Sequence, residues 1–328
     1  MNTKIFVILF ALAGLLAIGC IGVATPNQQN SETLKVGMPL YIGEGPYFVA
    51  QEKGFFEAEG IQVEFVSFSD PTPLKSAFLG KKIDVYAFTV DAIAFDAAHG
   101  LPGKIFWLPT SSNGADGIIA TNEIQSIEAL KGKKIAFFEG TPSHFFLAHV
   151  LRENGLNQND IQPINLEPDK AAQAFFAGEV EVAVSWEPWL SQAQSLTGAH
   201  ILVSSQDTPD LILDAFLARE ELFSQNSGIL KKFVRGLRNG MAFSESNPRE
   251  AAEIAAPYFE MTPEEYLEAV SVIRFLNETD NQELFAPNGR LEQVIIQAGK
   301  VWQEAGLIET PKTPQELIEP RIVNTLFQ

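Results

Sequence analysis

One cysteine occurs in the 328 residues, Cys20, and it stands before the body of the chain. A lone cysteine excludes an internal disulfide and a cysteine-built zinc site, and beyond residue 20 no thiol nucleophile is left. Histidine is almost as scarce. His144 and His149 are five residues apart, which puts them on different faces of a helix, and His99 and His200 add no metal-ligand spacing. Basic side chains are few: 23 Lys and Arg stand against 41 Asp and Glu, a net charge of −18. Such a field repels phosphate backbones and anionic headgroups, works against long-range steering of an anion, and speaks against nucleic acid as a partner. The apolar run Ile5–Ile18 falls short of the roughly 20 residues that a membrane-spanning helix needs.

What that run does fit is an export signal. A charged start at Lys4, an apolar stretch and small residues before a cut site predict a signal peptide over 1–19. Ala17-Ile18-Gly19-Cys20 resembles a lipobox, in which the cysteine sulfur receives a lipid and becomes the first mature residue. Lipidation at Cys20 would anchor the chain to a membrane outside the cytoplasm. The polar stretch Thr25–Thr33 lacks periodicity and suits a flexible tether, so 20–33 reads as a lipidated linker.

The rest is globular, with 46% hydrophobic and 20% charged residues. Strands are expected at 34–38, 61–65, 83–88 and 105–108, with helices at 47–59, 74–79 and 91–98 between them. A second series follows, with strands at 118–121, 134–138, 161–166, 180–184 and 201–203 and helices at 142–153, 169–177 and 188–195. A strand at 211–218 precedes a tail read as almost wholly helical. This alternation predicts an α/β fold with parallel strands covered on both faces. Two lobes are expected, 34–117 with 216–328 and 118–215, each a mixed sheet flanked by helices, with a hinge between. Ligands of open α/β sheets sit at the carboxyl ends of the strands, so the cleft belongs there.

Candidate site residues follow from that placement. In Gly140–Leu147, Thr141 is positioned to cap a helix and Pro142 fits its first turn. The free N–H groups, with the Thr141 and Ser143 hydroxyls, suit a small oxyanion. Trp186 and Glu187 end a strand at the cleft edge, where the indole can stack on a flat ligand or a cation. Ser112, Asn113 and Asp116 occupy the turn-rich passage between lobes. Tyr41, Thr89 and Asp91 lie just past strands one and three, and Asp214 begins the returning strand; Asp91 and Asp214 read as structural.

Gly45-Pro46, Ala50-Gln51-Glu52-Lys53-Gly54-Phe55-Phe56 and Gly60-Ile61 resemble the opening of solute-binding proteins of nitrate, sulfonate, taurine and bicarbonate importers, the NMT1/THI5-like family. Gly140–Leu147, Ala174-Phe175-Phe176-Ala177-Gly178 and Trp186-Glu187-Pro188 are similar to the same family's second lobe. The resemblance spans about 34–310 and implies the two-lobed periplasmic-binding fold of type II. It also implies a monomeric tethered receptor without cofactor or metal, serving an ABC permease and ATPase. The matching ligand positions are Tyr41, Thr89, the 112–114 loop, Thr141, Ser143, His144 and Trp186. No Lys or Arg stands among them, and Asp116 and Glu187 are negative. That tilts the expected solute toward one carrying an amine, taurine-like or a nitrogen heterocycle. An enzyme on the same fold, of the pyrimidine-synthase or menaquinone-pathway kind, is the alternative.

Overall fold

Residues 32–68 and 71–326 of the computed structural model are described here; the expected signal, Cys20 and nearly all of the tether lie outside them. The strands are β1 (Glu32–Pro39), β2 (Ile61–Phe68), β3 (Val85–Thr89), β4 (Lys104–Trp107), β5 (Thr110–Ser112) and β6 (Asp116–Thr121). They continue as β7 (Lys134–Phe137), β8 (Gln162–Asn165), β9 (Val182–Trp186), β10 (Ala199–Ser204), β11 (Asp214–Ala218) and β12 (Ile273–Phe275).

Alternation sets the first strand: Leu34, Val36 and Met38 are buried, while Lys35 reaches out to pair with its cross-strand neighbour Glu64 at 2.9 Å. The strand starts two residues earlier than expected. Glu32 and Thr33, read as tether, pair with Ile61 and Gln62.

Two five-stranded sheets result, ordered β2-β1-β3-β11-β4 and β10-β6-β9-β7-β8. Both are mixed, as expected for the two lobes. β11 runs antiparallel to β3 and β4, and β6 antiparallel to β9 and β10. The cause is the crossing: the chain passes from β4 to β6 and back from β10 to β11, so β6 and β11 enter at the edge where the parallel strands end.

A third, two-stranded pairing of β5 with β12 sits on the crossing. The sequence pattern gave neither strand, because Thr-Ser-Ser has no apolar alternation and Ile273–Phe275 directly follows a helix. The tail is therefore not wholly helical. The expected 47–59 helix is also divided, into Gly45–Glu52 and Phe55–Ala58, with Gly54 in the left-handed region at φ 71°.

The helix Ser227–Ser246 packs on Gly45–Glu52 at Gly240, where an added Cβ would lie 2.5 Å from the Pro46 carbonyl. The helix Arg290–Glu304 carries the fully buried Trp302, whose ring meets Phe95 from Val90–Ala98 and Phe145 and His144 from Pro142–Glu153. It straps a helix of the first sheet to a helix of the second.

Candidate functional site

The strand edges converge as the topology demands. β1 delivers Tyr41, β3 ends at Thr89, and β9 ends at Trp186. The two antiparallel strands begin at the same edges, so Asp214 stands opposite Thr89 and Asp116 opposite Trp186 in register. Tyr41, Thr89, Asp116 and Trp186 line one cavity of about 80 Å³, together with Glu44, Tyr47 and Asp214. At about 10–15 Å³ for each water held, this admits a handful of waters or a solute of comparable size.

The chemistry of the lining is acidic and aromatic. No Lys, Arg or His belongs to it among the described residues. Burial pushes the Asp116 carboxyl up to about 7; the Ser112 hydroxyl opposes this, and Asp214, Asp91 and Glu187 add to it. Asp214 is pushed up to about 6 by burial, against the hydrogen bond it accepts from the Thr110 hydroxyl. Burial also raises Glu44 well above the usual carboxylate range, although the Tyr41 N–H donates to it at 3.2 Å. Tyr41 is raised first by burial and then by Asp116 and Asp214. Behind the cavity, burial lifts Asp91 to about 7, with the Thr89 hydroxyl and the first N–H groups of its helix opposing. Within hydrogen-bonding geometry neither Asp91 oxygen nor the Thr89 hydroxyl has a partner.

The expected anion cradle is built differently. Thr141 occupies the cap position of Pro142–Glu153, but its hydroxyl donates back to the Phe138 carbonyl at 2.6 Å instead of capping the helix. Thr141 lines a second cavity of about 220 Å³, rich in aromatic rings, that shares Pro39, Phe88 and Trp186 with the first. Pro142, not Ser143, reaches the inner cavity. The Ser143 hydroxyl is buried without a partner.

His144 is turned away. Its Nδ1 accepts from the Gly140 N–H at 3.2 Å, Nε2 faces the Gln158 amide at 2.6 Å, and its ring packs on Phe137 and Trp302. Burial holds it down to about 4, so it is neutral.

Ser112 sits one layer behind the lining. Its hydroxyl meets that of Ser205 at 2.7 Å, and Ser205 Oγ also accepts from the N–H groups of Gly114 and Asp116. Asn113 is exposed and bonds to Val272 through its backbone. Glu187 accepts from the N–H and hydroxyl of Ser191 at 3.2 and 2.9 Å and lies outside both linings.

Sequence reasoning missed Glu44 and Tyr47 as lining residues, and it read Asp214 as structural. Their signals were present: Glu44 sits in the turn right after the first strand, and Asp214 closes the apolar run Leu211–Leu213.

A family model described as NMT1/THI5 like matches residues 43–251. A Bacillus subtilis (strain 168) protein assigned to aliphatic-sulfonate binding is 30% identical over 254 residues, covering 75% of this chain and 74% of that one. The crystal structure of the periplasmic aliphatic sulphonate binding protein SsuA from Escherichia coli matches with a TM-score of 0.74 at 21% identity. That match covers 88% of this chain and 92% of that one. The desulfurization enzyme DSZB also shares the fold, at 14% identity and a TM-score of 0.62 over 90% of this chain and 98% of its own, so the fold alone does not separate receptor from enzyme. The two-lobed architecture, the converging strand ends and the extent of the family match give one conclusion: the chain belongs to the NMT1/THI5-like family.

Proposed function

We propose that this protein is the extracytoplasmic solute receptor of an ABC importer. It encloses a small polar solute of the sulfonate, taurine, nitrate or nitrogen-heterocycle kind between its lobes and hands it to a permease driven by an ATPase. The observation that carries the reading is the cavity at the facing strand edges, built from both sheets by Tyr41, Thr89, Asp116, Trp186 and Asp214. The expected lobe bounds shift by two residues, so that β6 belongs whole to the second sheet and β11 whole to the first. The two lobes close on the cavity about the crossing at β5 and the segment before β11. A lipid on Cys20, after removal of 1–19, holds the monomer near its transporter and raises the local concentration.

The reading is non-enzymatic. Among the described residues the cavity holds no hydroxyl or thiol paired with a histidine base, the arrangement many acyl- and group-transfer enzymes use. Thermal unfolding of the purified protein against a solute panel tests it. A receptor at a hundredfold excess of ligand over Kd gains about 2.7 kcal/mol, a rise of several degrees. No stabilisation by any solute, or turnover of one, sinks the proposal.

A further inference from the structure

The receptor reading leaves the charge of the solute open, and the cavity speaks to it. An oxyanion site in a protein interior supplies N–H dipoles or a cation, since a buried charge without compensation is expelled. This cavity supplies the opposite. Glu44, Asp116 and Asp214 line it, Asp91 lies directly behind, and no basic side chain lines it or its neighbour among the described residues. The one helix whose N-terminus was expected to cradle an anion presents Pro142, which has no N–H to offer.

A second observation is independent of charge. Thr89 lines the cavity at 7% exposure, and its shielded hydroxyl, beside the Asp91 carboxyl, makes no hydrogen bond of good geometry. A buried polar atom left unmatched at a ligand site marks where a ligand group completes the bonding.

The adjoining cavity is aromatic: Phe68, Phe88, Phe138, Trp186 and Trp189 line it, with Glu167 and Asp169 at its wall. Trp186 belongs to both chambers. An indole face and carboxylates around an inner chamber, continuing into an apolar outer one, fit a cation with an organic tail.

We propose that the solute is a small organic cation. Its ammonium or protonated ring nitrogen sits between Asp116 and Asp214 against Trp186 and Tyr41, and its alkyl or aryl tail lies in the outer chamber. This deepens the receptor reading and rests on it. The net charge of −18 favours arrival of such a ligand.

The groups facing the inner chamber are Glu44, Tyr41 and Tyr47 from the first strand's exit, Thr89 from the third, Asp116 from β6 and Asp214 from β11, with Asp91 behind Thr89. Binding a cation requires the carboxylates ionised, so affinity rises with pH through the range near 6–7 where Asp214, Asp116 and Asp91 lose their protons. A contacting group near 7 weakens cation binding about tenfold between pH 8 and pH 6, and one near 6, such as Asp214, about twofold. An anion shows the reverse slope.

The test is calorimetric titration and thermal shift of the purified protein. The probes are benzylammonium, butylammonium, 4-aminopyridinium and tetramethylammonium, with ethanesulfonate, taurine and nitrate beside them, at pH 6 and pH 8. The expected result is stabilisation by one or more cations, stronger at pH 8, and weakened at least about thirtyfold in both Asp116→Asn and Asp214→Asn. The unliganded variants should unfold no earlier than the parent, which separates lost binding from lost folding. Stabilisation by the anions alone, or tighter binding at pH 6, overturns the cation assignment and leaves the receptor standing. Stabilisation by neither class overturns both.

Discussion

The Trp302 indole N–H donates to the backbone carbonyl of Asp91 at 3.0 Å, tying the C-terminal strap to the first turn of the helix behind the cleft. Trp302 is fully buried against Phe95, His144 and Phe145. Trp302→Ala removes the packing and the donor together and should cost about 3–5 kcal/mol. Trp302→Phe should cost less, since it keeps much of the packing and loses only the indole donor. Urea unfolding decides, and a loss under 1 kcal/mol for the alanine variant would show that the strap is dispensable.

The crowded carboxyls predict how unliganded stability follows pH. Asp91 and Asp116 near 7 and Asp214 near 6 hold protons in the folded state that the unfolded chain, with its ordinary value of 3.8, has released. Stability from these groups therefore falls as pH rises from about 4 to about 7 and is flat beyond. Glu316, held near 2 by the backbone and hydroxyl of Thr313 and by Lys312, acts in the opposite sense below pH 4.5. The melting temperature should peak between about pH 4 and 4.5 and drop by pH 8. Asp116→Asn should flatten the slope, and a melting temperature that climbs between pH 5 and 8 contradicts the prediction.

Trp186 forms a wall of both chambers and is only half-buried, so the fold does not depend on it. Trp186→Ala should abolish solute binding, at least about a hundredfold, with little change in the unliganded melting temperature. Unchanged affinity for a solute that stabilises the parent would remove it from the site.

His144 gives the opposite pattern. Both ring nitrogens are engaged and the ring is buried away from the cavity. His144→Ala should lower stability by about 1–3 kcal/mol through the unpaired Gly140 N–H and lost packing. Affinity at a temperature where the variant is folded should stay within twofold. A tenfold loss would put His144 back among the ligand groups.

Much of this was legible because it is local. Period-two alternation over 34–38 and 61–65, the Pro142 helix start and the apolar run 182–184 each declare their element within a few residues. Trp186, Tyr41, Thr89 and Asp116 could be placed because strand ends determine the edge of a sheet. What escaped depends on partners far along the chain. β5 and β12 exist through each other, 161 residues apart between the register partners Ser112 and Ile273, and neither has a pattern of its own. The antiparallel entry of β6 and β11 is a property of the crossing, and it is what carries Asp214 to the site. His144 misled because helix position alone does not say which way a ring turns once Gln158 and Trp302 compete for it.

Ser205 brings a mechanical consequence. One hydroxyl gathers the Ser112 hydroxyl and the N–H groups of Gly114 and Asp116, while the Ser112 N–H bonds to the Ile212 carbonyl at 3.0 Å. The outgoing and returning strands of the crossing are thereby pinned to each other at a single knot. Any rotation of one sheet against the other must be taken up on either side of that knot. On the receptor reading, closure of the lobes pivots beside this knot, near Asp116, and displaces most the parts of the cavity wall farthest from it.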